Sequence, residues 1–243
     1  MATNLAGGVC IGHYDVCLVR VGRLDALCAP VYGADNGVIS SAIVSLTAGP
    51  EIEAGAEVLQ KNGCGAILIN VKKQDKIKRR NLTGVIGLHD YEMFELMFGG
   101  GLLTGAAGTP WAGEVSGYAE PGPDSDDRNP ISFEVVVRNA IQGQGQCQAA
   151  GETSPSYTGY IFPKAFLTRG DVEIVEGIQV VNFTGTSEPN PAYFTGPFRD
   201  WDDYAAETFP DYSSMVEIGY DELPLAGIVG APDCGYQTTP ASS

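Results

Sequence analysis

Runs of β-branched and aliphatic residues at period two recur along the chain. That spacing marks half-buried strands, because successive side chains on a strand point to opposite faces. Residues 14–21, 37–47 and 76–88 read this way, residues 64–71 form a short apolar strand-like run, and residues 131–140, 157–167, 172–184 and 214–220 read as further strands. Asn62-Gly63 marks a tight turn before residues 64–71, since both residue types tolerate positive φ. One segment carries a helical period instead. Asp90 is suited to cap YEMFELMF, and Gly99 and Gly100 are suited to stop it. Phe94, Met97 and Phe98 fall on one apolar face with Tyr91, leaving Glu92 and Glu95 outward. The expected fold is mainly β: a β-sandwich or distorted barrel with one flanking helix at about residues 90–98 and long loops.

Three stretches read as irregular. Residues 103–130 are rich in Gly, Pro and Asp and are expected to be a long loop or insertion. Residues 185–210 carry four prolines and several aromatics. Residues 231–243 are small and polar, and are expected to be a flexible C-terminal tail. None is a clean linker and no internal repeat is visible, so residues 1–243 are expected to form a single domain.

The charge is strongly negative and unevenly placed. The formal net charge is −16, of which residues 1–100 hold −1 and residues 101–243 hold −15. So few basic residues argue against tight binding to nucleic acid, which depends on Lys and Arg neutralising phosphates. An acidic wall beside DNA would instead repel it and let it slide. No basic and apolar leader pattern opens the sequence, and its apolar runs are too short for a membrane-spanning helix, so a protein made in the cytoplasm and not bound to a membrane is expected. In that compartment the six Cys (10, 17, 28, 64, 147 and 234) read as reduced thiols rather than a disulfide framework.

Catalytic chemistry is poorly equipped. Only His13 and His89 could act as an imidazole base, and the GxSxG, HExxH and GxxxxGK[ST] patterns are missing. His89 reads as a capping or surface group beside the helix. Cys10, His13 and Cys17 have zinc-like spacing but lack a fourth ligand and a second pair, and Cys17 lies on a strand-like run. The clusters Asp124/Asp126/Asp127 and Asp200/Asp202/Asp203 lack the glycine and terminal Glu of a calcium loop and read as solvated acidic loops. No catalytic, cofactor or metal site is expected.

The sequence KKQDKIKRR stands apart. Lys72, Lys73, Lys76, Lys78, Arg79 and Arg80 are six of the chain's fourteen basic residues. Read plainly they form a solvated hairpin tip, where Lys and Arg also discourage unwanted strand pairing. Read as a working part, they are a docking arm for the acidic surface of another copy. Such a head-to-tail contact generates rings or filaments.

Several pieces together resemble the major tail tube proteins of long, non-contractile-tailed phages of actinobacteria. They are the RLDALC opening at residues 23–28, the acidic segment 50–57, the NGC turn at 62–64, the NLT strand at 81–83, the DYEMFELMFG helix at 90–99 and EPNPAYFTGP at 188–197. The resemblance covers about residues 15–100 and 180–200. The chain departs from the pattern in having Leu27 before Cys28, and Tyr193 and Phe194 where a Trp is common. The resemblance implies a tail-tube type of β-sandwich in a virion structural protein that is not an enzyme. It implies that six copies close into a ring and that rings stack into a hollow tube through which DNA passes. Hairpin loops and termini would bridge to the next ring, and the tape measure, tail terminator and distal tail proteins would be partners. Alternatives are another virion β-protein, either a tail terminator or a capsid decoration subunit, and a calcium-dependent carbohydrate-binding or hydrolytic β-sandwich.

Overall fold

The computed structural model describes residues 11–31, 33–65, 67–122, 130–141, 157–173, 179–192, 213–220 and 236–239. The chain is mainly β, with one large antiparallel sheet and one helix among the described residues. The strands of the large sheet are β1 (Ile11–Arg23), β2 (Gly33–Ser40), β3 (Ile43–Glu53), β6 (Lys76–Ile86), β9 (Ile131–Ile141), β10 (Tyr157–Glu173), β11 (Val180–Ser187), β12 (Val216–Tyr220) and β13 (Tyr236–Thr239). Two short hairpins complete the set: β4 (Glu57–Lys61) with β5 (Ile67–Lys72), and β7 (Gly101–Thr104) with β8 (Val115–Ala119).

The large sheet runs in the order β13-β2-β1-β9-β10-β11-β6-β3, with β12 also paired to β10. Strand β10 serves both by changing partner. Its first residues lie between β9 and β12, and after a register break at Phe162/Ala165 its remainder pairs with β11. Pro163 sits in that break, where a residue without an N–H costs no ladder bond.

Strands β2 and β3 lie near opposite ends of this order, yet only Ser41 and Ala42 separate them. Three Cα steps span at most about 11 Å, close to the ~10 Å between packed sheets. The sheet is therefore folded over on itself as a sandwich or distorted barrel. Period-two patterning through residues 37–47 suggests one strand. The chain instead turns a corner inside that run, fixed by the Ser40 hydroxyl accepting from Ala42 N–H at 3.2 Å and by Gly87 N–H donating to the Ala42 carbonyl at 2.8 Å.

The space between the folded halves is filled by side chains of both and by α1 (Tyr91–Phe98). Phe94, Phe98, Phe183, Phe133 and Phe162 form a chain of ring contacts 5.7–6.5 Å apart. Such tilted and edge-on contacts add ring–ring attraction to the apolar area removed from water. The helix cap is as the sequence indicates: the Asp90 carboxylate accepts from Glu92 and Met93 N–H, both at 3.1 Å. Its faces are not. Met93 and Leu96 are buried along with Phe94, Met97 and Phe98, whereas Tyr91 is 38% exposed. The helix is covered on a second side, where Tyr118 of β8 donates to the Gly99 carbonyl at 2.8 Å and meets the Phe94 ring. Glu95 is consequently half-buried, held by Arg23 at 2.9 Å.

Two segments expected to be irregular hold strands. Residues 103–130 contain β8 and the end of β7, a hairpin whose Gly-rich turn hides its alternation. Residues 231–243 contain β13, which pairs with the β2 edge. The strand expected at 172–184 is divided. Val172 belongs to β10, which ends at Glu173, and Val180 opens β11.

Candidate assembly surface

Two parts of this sheet have opposite characters. In the body both faces are buried. Val19, Val21, Phe133 and Val135 point into the core, and their neighbours Leu18, Arg20, Glu134 and Val136 are buried on the other side. Placing Arg20 and Glu134 there requires full satisfaction of both charges, since burying an unpaired ion costs several kcal/mol (~3–5). Arg20 Nε donates to Glu134 Oε2 at 2.5 Å and Nη2 to the Tyr220 hydroxyl at 3.1 Å, which in turn donates to Glu134 Oε1 at 2.8 Å. The group ties β1, β9 and β12 together.

The other part is an arm. Strands β3 and β6 pair from Ile43↔Ile86 to Glu53↔Lys76, and β4 and β5 from Glu57↔Lys72 to Lys61↔Ile67. The same register runs through the junction, where Lys73 N–H donates to the Ala56 carbonyl at 3.0 Å. The four strands are thus one continuous two-stranded ribbon. From Ile52 to the turn at Cys64 it extends about 40 Å at ~3.3 Å per residue. Every described residue from 52 to 78 is exposed except Gly55, which is half-buried. A Cβ on Gly55 would lie 1.9 Å from the Lys73 carbonyl oxygen, so only Gly lets the strands pass that closely. At the turn, Gly65 takes φ 84° and Cys64 N–H donates to Asn62 Oδ1 at 3.1 Å. The positive φ falls on Gly65, not on the Asn62-Gly63 pair expected to carry it.

Of the fifteen exposed large hydrophobic residues among the described residues, eight lie on this arm: Ile52, Val58, Leu59, Ile67, Leu68, Ile69, Val71 and Ile77, each 45–61% exposed. A solitary two-stranded ribbon is marginal in water, and an apolar one with two open edges is prone to association. Strand β3 ends the large sheet, so its outer edge has no neighbouring strand among the described residues.

The basic run lies on the returning strand rather than at the hairpin tip, and its six residues have different surroundings. Arg79 donates to Glu51 Oε2 at 2.6 Å, and this hydrogen bond holds the Glu51 carboxyl below its ordinary pKa. Lys72 and Lys76 stand directly opposite Glu57 and Glu53, and Lys72 also reaches Asp75 at 3.5 Å. Lys73 and Lys78 are exposed and make no ion pair within 4 Å among the described residues. Arg80 turns inward, with Nη1 donating to the Ala48 carbonyl at 3.4 Å. The arm is therefore less one-signed in space than in sequence. Residues 51–80 still carry a net +3, against −19 for the rest of the chain.

Sequence reasoning identified the basic residues but missed the apolar ones beside them. A signal was present: Glu51/Arg79, Ile52/Ile77, Glu53/Lys76, Glu57/Lys72 and Val58/Val71 mirror one another about the turn. Among the other candidates, His89 is exposed with its ring edge-on to Phe94, 5.6 Å between centroids. Cys17, Cys28 and Cys64 are free thiols, and Cys17 is half-buried against Leu18, Ile39 and Val136. Cys10 and both Asp clusters lie outside the described residues.

Three of the segments that carry the tail-tube resemblance meet in space. Arg23 of the first holds Glu95 of the helix, and Asn190 of the last donates from Nδ2 to the Cys28 carbonyl at 2.8 Å and the Pro163 carbonyl at 3.2 Å. These contacts fasten α1 and the end of β11 to the turn after β1. No protein-family model matches the chain, and no curated protein matches its sequence.

Proposed function

We propose that this chain is a structural subunit that assembles with copies of itself into stacked rings. The product is a hollow tube of the kind that conducts DNA through the tails of long-tailed phages. The protein acts through its shape, not by catalysis. The observation that carries this reading is the arm, an anchored ribbon of about 40 Å with aliphatic side chains exposed on both faces. Covering those side chains with a second copy would recover the hydrophobic free energy that exposure forfeits. Pairing along the outer edge of β3 would extend the sheet from one copy to the next and remove its open edge. The positive arm and the negative remainder supply complementary charge for a head-to-tail contact, which sets register and encounter rate more than affinity.

The ring number of six comes from the resemblance, as do the virion location and the tape measure, tail terminator and distal tail partners. A body carrying −19 would keep passing DNA from adhering to the wall.

Negative-stain microscopy of the purified full chain tests the reading directly. Stacked rings or tubes are expected. A protein that stays monomeric at high concentration and fails to co-assemble with tail components overturns it. Single closed rings or capsid-bound trimers would favour the tail terminator or decoration alternatives. Reversing Lys73 and Lys78 to Glu, two exposed arm lysines that make no ion pair within 4 Å among the described residues, is expected to slow tube growth most at low salt. Unchanged growth would remove charge docking while leaving apolar assembly intact.

A further inference from the structure

A partly open cavity of about 260 Å³ lies at the root of the arm, lined by residues of β1, β3, β6, β9 and β10. Its walls are mostly apolar, from Val16, Leu46, Val137, Phe162 and Met215, and Arg80 is the one charged side chain lining it among the described residues. Such a mouth, apolar with a few convergent polar groups, is the usual form of a small-molecule site. Arg80 is an odd residue to place there. Its only bond among the described residues is the long one to the Ala48 carbonyl, and it forms no ion pair. Arg79 next to it points to the other face of the ribbon and takes Glu51. A guanidinium on an apolar wall with unused donors matches a carboxylate, which it can bind through two parallel hydrogen bonds.

We propose that this mouth binds a small amphipathic monocarboxylate, its hydrocarbon among the aliphatic walls and its carboxylate on Arg80. At ~30 Å³ per water-sized group the cavity holds about nine such groups, which suits a chain of about eight carbons. Tyr160 also lines the space. Burial, and then the nearby charge of Glu217, raises its pKa, so it remains a neutral phenol that does not repel the ligand. Glu217 stands opposite Tyr160 on β12 and is the like charge that would weaken carboxylate binding. This proposal depends on the walls of one copy, not on tube formation.

Titration calorimetry of the full chain with octanoate, octanol and octyltrimethylammonium tests it, with thermal melts to verify folding. Octanoate is expected to bind. Octanol should bind about tenfold more weakly, since a hydrogen-bonded charge pair contributes about that much. The cation should give no heat. Arg80→Leu should lower octanoate to the octanol level and leave octanol unchanged, while Glu217→Gln should tighten octanoate alone. Filling the space with Val137→Trp, or with Met215→Trp if the first fails to fold, should abolish both. Absence of octanoate binding overturns the proposal, as does equal affinity for octanol. Octanoate binding that survives a folded filling variant also overturns it, because the site would then lie elsewhere.

Discussion

The body and the arm are built from the same kinds of residue and treat them in opposite ways. Val19, Val21, Val38 and Val135 in the body are at most 2% exposed, whereas Val58 and Val71, paired face to face on the arm, are 55% and 56% exposed. Both regions alternate with period two and both form antiparallel ladders. What differs is whether a second layer lies over them. The body makes that layer by folding its own sheet across α1. The arm has no such layer among the described residues. Strand patterning thus reports that a face is apolar, and leaves open whether the chain itself supplies the cover.

The contrast breaks first on large core changes. Phe183→Ala or Glu134→Ala is expected to destabilise the monomer by about 3–5 kcal/mol, through a cavity in one case and an uncompensated buried Arg20 in the other. Denaturant titration measures both. A loss below about 1 kcal/mol would mean that the body is not the rigid partner in the comparison.

The arm should behave in the reverse manner. Ile67→Ala with Ile69→Ala is expected to change monomer stability by less than about 0.5 kcal/mol each, as for exposed positions. Tube formation should fall at least about tenfold, because each side chain would lose roughly 1.5–3 kcal/mol of burial in an assembly. Sedimentation of assembled material reads the second effect. Wild-type yield from that variant would show the exposed aliphatics to be idle.

Much of this contrast is readable in the sequence, and the rest fails for particular reasons. The helix and its cap are legible because Asp90, the 3.6-residue spacing and Gly99 agree with one another. Its second buried side is not, because the helix is enclosed by β1, β2, β7, β8 and β10 together, and β8 lies inside a Gly-rich stretch. The corner at Ser41-Ala42 is hidden because small residues continue the alternation through it. The six basic residues are visible as a run, but their separate surroundings follow from cross-strand register, which the local sequence does not display. The Glu–Lys and Val–Val mirror about residue 64 carries that register, and reading it requires assuming the hairpin first.

Smaller effects sharpen the same comparison. Asp90→Ala should cost the body about 1 kcal/mol by releasing two helix N–H groups, visible as a lower melting temperature. The smallest effect belongs to the arm. Glu51 has a lowered folded-state pKa, so its pairing with Arg79 contributes at neutral pH. That contribution should fade as pH falls through the ordinary carboxylate range toward the lowered value. NMR of the Arg79 Nε–H over that range should show its protection from exchange lost at the acid end. Constant protection to the acid end would show that the pair does not hold the ribbon.

The pairing of β13 with β2 has a consequence for how the protein is made. Tyr236 pairs with Val38 across 198 positions of sequence. A ribosome must therefore deliver nearly all the described chain before that border of the sheet can be closed. Until then the nascent polypeptide displays an unfinished strand, and this long-range closure is slow compared with forming the neighbouring hairpins. Completion of the sheet is in this way timed by synthesis, and a half-made chain differs from a released one at the β2 border.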